Sequence, residues 1–227
     1  MIRAYYTATN GAVSTQNYLD VISNNIANIE TDGYKKSKAE FSDLLYTNIN
    51  GNIKVGSGTK LNKVDVLFEQ SALYNTGRET DFAIQGDGFF AVQYEDKTYF
   101  TRCGSFEIVN TDDENYLMYQ GGYVLDENSE PIIIENKEDE IKAGVFKFEN
   151  NSDLQRIGNN LFEIANQDTE YTLLENPKIM KGYLEPSGVE IAEELVKIIE
   201  VQRVFQLNSK VIQTADEIEQ TINSLKS

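Results

Sequence analysis

Apolar residues recur at heptad spacing near both ends of this 227-residue chain, and this pattern constrains the fold more than any other feature. Near the N-terminus two rows repeat every seven residues and lie three residues apart. They are Tyr5, Ala12, Leu19 and Ile26, and Ala8, Thr15, Ile22 and Ile29. The spacing predicts a helix over about residues 2–29, roughly 42 Å long.

A second heptad row runs through the C-terminal segment and consists of Val204, Asn208, Val211, Ala215, Ile218, Ile222 and Leu225. Ser187 is followed three residues later by Glu190, the spacing of a capping box, in which each side chain bonds the backbone N–H of the other residue. We therefore expect a helix that starts at Ser187 and continues nearly to residue 227, spanning roughly 57 Å.

The predicted C-terminal helix has more apolar surface than one partner helix can cover. A further stripe beside the first row consists of Ile191, Leu195, Ile198, Phe205 and Ile212. An uncovered stripe several turns long favours aggregation of a monomer. Either neighbouring copies of the chain cover this stripe or the middle of the chain folds back over it, and the pattern favours neighbouring copies.

These rows define a predicted subunit-assembly interface on the two helices. Its members are Tyr5, Ala12, Leu19, Ile22, Ile26, Ile29, Ile191, Leu195, Ile198, Val204, Phe205, Val211, Ile212, Ile218 and Ile222.

The middle of the chain has the pattern of strands and turns. Residues 89–109, 121–134 and 144–164 alternate aromatic and β-branched residues with polar ones, and turn residues such as 95–97 and 126–129 interrupt them. We therefore predict an α+β protein whose terminal helices pair as a coiled-coil-like assembly domain, formed by residues 1–46 and 184–227. Residues 47–183 form a central domain rich in β-hairpins or barrel-like.

Composition argues against several classes of function. The chain has no histidine, a single cysteine and a formal net charge of −17, of which a surplus of −13 lies in residues 47–186. Histidine is the commonest general base and metal ligand, and a negative chain repels phosphate backbones. We therefore expect no catalytic site, no metal, no cofactor and no nucleic-acid partner. The charge distribution fits ends that contact other protein, or simply acidic loops.

Two short stretches imitate binding motifs. QGDGFF at 85–90 resembles a phosphate-binding loop, but a strand pattern follows it where such a loop requires a helix, so a tight turn is favoured. NTDDENY at 110–116 clusters carboxylates without the spacing of a calcium loop, which favours a solvated hairpin end. The sequence also lacks an apolar run long enough for a membrane span or a cleaved signal peptide, so we expect neither.

Three stretches resemble motifs of one known family, in the order that the family has them. Residues 20–46, 80–108 and 182–218 are similar to the N-terminal, central and C-terminal motifs of the flagellar axial proteins, the rod and hook family. The core of the first motif is matched by Ala27, Asn28, Thr31, Gly33, Tyr34 and Lys35. Gly188 and Cys103 depart from the family pattern, and the chain is short in the middle.

The resemblance implies both a fold and a role. It implies terminal helices that pair as an inner tube, a β-rich outer domain, and a crossing between them at residues 28–38 in which Gly33 permits a positive φ. It also implies a structural subunit of the bacterial flagellar basal-body rod, most similar to the distal rod type, that polymerises helically into a torque-transmitting shaft between motor and hook.

The same resemblance implies partners and a location. The partners are further copies of the chain, other rod proteins, the hook protein, the flagellar type III export apparatus and surrounding rings. The location is the basal body, outside the cytoplasmic membrane, after export without a cleaved signal. A proximal rod or hook subunit is the alternative within the family. A β-rich carbohydrate-binding or enzymatic module with helical dimerisation arms is the alternative outside it.

Overall fold

The computed structural model describes residues 2–49, 53–95, 97–111, 114–134, 141–165 and 169–225, and it confirms the α+β class. The described residues contain two α-helices, α1 (Ile2–Ala27) and α2 (Ile191–Ser224). Between them lie strands β1 (Ser37–Asp43), β2 (Thr47–Ile49), β3 (Ile53–Val55), β4 (Thr59–Val66), β5 (Tyr74–Asn75), β6 (Phe82–Gln85), β7 (Phe89–Tyr94), β8 (Lys97–Thr101), β9 (Glu107–Thr111), β10 (Glu114–Tyr119), β11 (Gly122–Val124), β12 (Val145–Phe148), β13 (Leu154–Gly158), β14 (Leu161–Ile164), β15 (Tyr171–Leu173), β16 (Lys178–Lys181) and β17 (Tyr183–Leu184).

The chain divides into two compact units. The helical unit comprises residues 1–28, 36–67 and 189–227, and the β-rich unit comprises residues 29–35 and 68–188. This division differs from the expected one, because residues 47–67 belong with the helices and residues 29–35 belong with the strands. The physical reason for the first difference is that β1 and β4 pair with each other and pack against α1.

In the helical unit, α1 and α2 pack against each other in antiparallel orientation. Gly11 lies so close to α2 that an added Cβ would come within 2.8 Å of Asn208 Nδ2, while Leu19 and Val201 line a common groove. Residues nearer the C-terminus of α1 therefore lie beside residues nearer the N-terminus of α2. None of the described helices is long and apolar enough to cross a membrane.

The β1–β4 hairpin holds α1 through side-chain hydrogen bonds to backbone groups. Ser14 Oγ donates to the carbonyl of Thr59 at 2.9 Å. Asn25 makes two bonds to Ser37: its Nδ2 donates to the carbonyl and its Oδ1 accepts from the backbone N–H, both at 2.9 Å. Because these bonds lie along the length of α1, the hairpin fixes that helix within a single chain.

The β-rich unit is built around an antiparallel sheet that has nine strands among the described residues. Seven of them run in the order β13-β14-β8-β7-β11-β10-β9, and β12 pairs with both β7 and β15. The core is aromatic and aliphatic; its fully buried members include Phe82, Phe90, Phe106, Leu117 and Val124. The structure confirms the predicted hairpin at 89–109, although Asp96 of its turn lies outside the described residues.

The predicted start of the C-terminal helix is wrong. α2 begins at Ile191 and not at Ser187, and its N-cap residue Glu190 has extended backbone angles and makes no side-chain capping bond. The hydroxyl of Ser187 has no hydrogen-bond partner in the part of the chain that the structure describes. The reason is tertiary: the backbone N–H of Gly188 donates to the carbonyl of Tyr34 at 2.8 Å, which holds this stretch outside the helix.

Candidate functional site

The segment from residue 29 to 35, directly after α1, turns sharply at Gly33. Gly33 has φ +70°, and a Cβ at this position would lie 2.6 Å from the backbone nitrogen of Cys103. A side chain is therefore excluded both by the backbone angle and by the space. The prediction that Gly33 allows a positive φ is confirmed.

A buried ionic network, consisting of Lys35, Arg102 and Glu185, lies next to this turn. Lys35 is only 1% exposed, and its Nζ lies 2.6 Å from Glu185 Oε1 and 2.7 Å from the carbonyl of Glu69. Arg102 Nε bonds the other carboxylate oxygen of Glu185 at 3.1 Å. Both oxygens of Glu185 are thus paired, so this carboxylate joins two cations that lie far away from it in sequence.

Neutral backbone groups complete the buried ionic network. Arg102 also donates to the carbonyls of Gly86 and Gly88, at 2.8 and 2.7 Å, and the backbone N–H of Ser71 donates to Glu185 Oε1 at 2.8 Å. Burial lowers the pKa of Lys35; the Glu185 carboxylate acts in the opposite direction, and the nearby Arg102 cation lowers this pKa further. The network therefore has little freedom to rearrange.

The neighbours of Lys35 are also fixed by contacts. The guanidinium of Arg156 lies 4.5 Å from the centroid of the Tyr34 ring and bonds the carbonyl of Lys35. Asp32 accepts a hydrogen bond from the Tyr74 hydroxyl at 2.9 Å, and burial together with this carboxylate raises the pKa of Tyr74 to about 12. The turn segment is thus held on both sides by the β-rich unit.

The structure separates the predicted family-motif residues into two groups. Ala27 and Asn28 end α1, where Asn28 Nδ2 donates to the carbonyl of Asn24, whereas Gly33, Tyr34 and Lys35 are buried in the β-rich unit. Thr31 lies between the groups, and its carbonyl accepts from the N–H of Tyr34. The sequence did not predict the contacts that Arg102, Arg156 and Glu185 make around Lys35. The only available signal was the position of Arg102 and Glu185 inside the other two motif stretches.

The predicted assembly residues differ in how far a single chain covers them. Ile22 is 1% exposed, because it belongs to the core of the helical unit, so it offers no free assembly surface. Intermediate exposure is found at Ala12, Leu19, Ile26, Ile29, Ile198, Ile212 and Ile222. The remaining predicted residues are exposed: Tyr5, Ile191, Leu195, Val204, Phe205, Val211 and Ile218.

A row of exposed apolar side chains runs along α2 and is called here the outer row. It consists of Val204, Leu207, Val211, Ile218 and Leu225, whose spacing of three, four and seven residues places them on one face of the helix. Leu207 and Leu225 are 67% and 81% exposed. The heptad row predicted from the sequence contains four members of the outer row but not Leu207, and it also contains Asn208, which lies beside Gly11 of α1.

An apolar groove between the helices is a second feature that the single chain leaves open. It has a volume of about 360 Å³ and is lined by Thr15, Gln16 and Leu19 of α1 and by Val201, Gln202, Phe205 and Gln206 of α2. With Gly11 beside Asn208 in an antiparallel pair, Ile2 lies level with the region around Glu217. Ile218 and Leu225 therefore lie at or beyond the level at which described α1 starts.

Comparison with known proteins links these features to one family. Three family models match the chain: the flagella basal body rod protein at residues 6–35, the flagellar hook protein FlgE/F/G D1 domain at 83–156, and the flagellar basal body rod FlgEFG protein C-terminal region at 180–225. Each match supplies one member of the buried ionic network, in the order Lys35, Arg102 and Glu185.

Full-length relatives give the same result. The flagellar basal-body rod protein FlgG of Borreliella burgdorferi is 35% identical over 267 residues, covering 100% of this chain and 99% of the relative. FlgG of Bacillus subtilis is 33% identical, covering 100% of both chains. The flagellar hook protein FlgE of Treponema pallidum is 34% identical over 122 residues, which cover 48% of this chain and 26% of the hook protein.

The first of these alignments spans 267 positions for a chain of 227 residues, so about 40 positions of it have no counterpart here. The shorter length expected from the sequence is thus confirmed. With relatives above 30% identity that are covered over essentially their whole length, the chain belongs to the family of flagellar basal-body rod proteins FlgG.

Proposed function

We propose that this chain is a structural subunit of the flagellar basal-body rod, of the distal rod type, and that it acts without catalysis. The observation that carries the proposal is the outer row of α2, an apolar face that the chain itself does not cover. Monomeric proteins rarely expose an apolar stripe of this length, because it favours association. Further copies of the chain are the proposed cover.

Two different apolar features support helical polymerisation over a closed dimer. The outer row protrudes from α2, whereas the groove lined by Leu19, Val201 and Phe205 is concave and lies between the helices. A contact between unlike surfaces of identical subunits is heterologous, and it generates an open helical filament when the rotation does not close. Coiled-coil-like packing of the terminal helices in such a filament would form a dense shaft that transmits torque.

The proposed partners follow from this role. They are other copies of the chain, other rod proteins, the hook protein and rings that surround the rod, and the proposed location is the flagellar basal body outside the cytoplasmic membrane. Delivery by the flagellar type III export apparatus, without a cleaved signal, is part of the same proposal. The partial similarity to a flagellar hook protein supports a place in the axial structure.

The proposal can be tested by placing a charge in the outer row. Val211→Asp combined with Ile218→Asp should abolish polymerisation and swimming, because a carboxylate cannot be buried between subunits without a partner. The matched control is Gln213→Asp, an exposed polar position on the same helix that lies outside the outer row. The readouts are sedimentation of the purified chain and motility of a complemented deletion strain.

Urea denaturation of the same variants separates a loss of assembly from a loss of folding. The double variant should keep the urea midpoint of the β-rich unit, because both substitutions lie on exposed positions of the helical unit. Normal polymerisation and swimming of the double variant would refute the proposed interface. Imaging of basal bodies from the deletion strain then tests the distal rod assignment, since the structure should stop at the segment that is missing.

A further inference from the structure

The two units of the chain differ sharply in charge. The β-rich unit, residues 29–35 and 68–188, carries 26 acidic and 10 basic side chains, a formal charge of −16. The helical unit carries 11 acidic and 10 basic side chains, a formal charge of −1. Essentially the whole net charge of −17 therefore belongs to one unit, and the unit that bears the exposed apolar row is almost neutral.

The excess negative charge of the β-rich unit lies outside its interior. Lys35 and Arg102 are buried, and two buried carboxylates, Glu185 and Asp81, balance them, so the formal charge of −16 belongs to the side chains outside the interior. Among the described residues of this unit, twelve acidic side chains are exposed but only six basic ones. Four of these six bond or pair with a carboxylate; they are Arg78, Lys97, Lys147 and Lys181.

In a filament of identical subunits every copy carries the same acidic unit at an equivalent position. Neighbouring β-rich units then repel each other, while the apolar faces of the helical units attract. The range of this repulsion is set by salt, because the Debye length is about 30 Å at 0.01 M ionic strength and about 8 Å at 0.15 M. Attraction between apolar faces has no comparable dependence in this range.

We propose that the acidic β-rich unit makes polymerisation of this chain conditional on screening by small cations. At low ionic strength the repulsion between the −16 units keeps copies apart, and at moderate ionic strength the apolar faces of the helical units associate. The occupant of the acidic surface is a diffuse layer of monovalent cations. The inference rests on the proposed function, because it assumes that copies associate through the helical unit.

The test measures the critical concentration for polymerisation of the full chain by sedimentation, at 10 mM and at 150 mM NaCl and constant pH. We expect the critical concentration to fall by about tenfold or more between these two salt concentrations. An equal or lower critical concentration at 10 mM NaCl would overturn the inference and leave the proposed function intact. A folded chain that forms no polymer at either concentration would overturn both.

A set of charge variants separates electrostatics from other effects of salt. Ten of the twelve exposed acidic residues of the β-rich unit are in no ion pair of the described structure, and the variants change four of them: Glu127, Glu149, Glu170 and Glu175. Replacing all four by Gln should lower the critical concentration at 10 mM NaCl and reduce the salt dependence. Replacing all four by Asp is the matched control, because the charge is retained, and it should keep the salt dependence of the original chain. Equal behaviour of the Gln and Asp sets would contradict the inference.

Discussion

The helical unit and the β-rich unit differ in how completely a single chain buries their apolar side chains and pairs their polar groups. The β-rich unit buries its aromatic core, pairs both oxygens of Glu185 and holds its turn segment by contacts on two sides. The helical unit buries Ile22 and Val201 but leaves the outer row of α2 in solvent. The difference predicts that the β-rich unit keeps its fold in the monomer, whereas the proposed function has neighbouring copies complete the helical unit.

The largest effect is expected from breaking the buried ionic network. Glu185→Ala leaves the cations of Lys35 and Arg102 buried without their shared carboxylate, so the free energy of unfolding should fall by about 3–5 kcal/mol. Urea denaturation of the full chain, monitored by tyrosine fluorescence, measures the loss. The matched control is Glu79→Gln, which removes an exposed pair with Lys181 and should cost at most about 1 kcal/mol.

If Glu185→Ala and Glu79→Gln had equal effects on stability, the buried network would contribute nothing beyond a surface ion pair. The buried ionic network would then not be what stabilises the β-rich unit.

The next effect separates backbone strain from lack of space at the turn after α1. Gly33 and Gly77 have nearly the same φ, +70° and +71°, but a Cβ at Gly33 would meet the backbone of Cys103, whereas a Cβ at Gly77 has no atom within 4 Å. Gly77→Ala should cost about 1 kcal/mol, the cost of a left-handed conformation for alanine. Gly33→Ala should cost clearly more, because backbone atoms must also shift.

Thermal unfolding of the two alanine variants side by side gives the difference. Equal melting temperatures would show that the β-rich unit is not tightly packed around residue 33.

The pH dependence of stability provides a smaller effect in the same unit. Burial raises the pKa of Tyr74 to about 12, with a further contribution from Asp32, while the pKa of an unfolded tyrosine is the ordinary 10.0. The folded state therefore keeps a proton that the unfolded state loses, so this group's contribution to stability falls as the pH rises from 10 to about 12. Because Tyr74 is 41% exposed and solvent screens its interactions, its contribution to the slope stays below about 1.4 kcal/mol per pH unit.

Other titrating groups of the β-rich unit also change its stability with pH, some in the same direction as Tyr74 and one in the opposite direction. Burial also raises the pKa of Cys103 and of Tyr119, which adds to the alkaline loss of stability. The lowered pKa of Lys35 acts in the opposite direction, because the unfolded lysine binds a proton more tightly. Tyr74→Phe should reduce the slope of the urea midpoint against pH above pH 10. An unchanged slope would show that the Tyr74 hydroxyl has the same pKa in the folded and the unfolded chain.

Local patterns predicted those elements that depend on neighbours in sequence. The heptad rows predicted α1 to within two residues of its end at Ala27, and alternation with turn residues predicted the β7–β8 hairpin. Both predictions succeeded because helix and hairpin periodicity is set by contacts a few residues apart.

Features that depend on distant contacts could not be predicted in this way. The helix start at Ser187 failed because the carbonyl of Tyr34 binds the N–H of Gly188 and holds the capping segment outside the helix. The ion pair of Lys35 with Glu185 joins positions 150 residues apart, and no local pattern indicates it. For the same reason the heptad rows did not reveal that Ile22 is covered within the chain whereas the outer row is not.

Hydrogen exchange of the backbone amides, measured in monomer and in polymer, tests whether neighbouring copies complete the helical unit. We predict that amides of α2 from Val204 to Ser224 exchange rapidly in the monomer and become protected in the polymer, because most helix stability comes from packing of an apolar face. Amides of β7 and β8 should be protected equally in both states. Strong protection of residues 204–224 in the monomer, with no increase on polymerisation, would contradict the claim that neighbouring copies complete the helical unit.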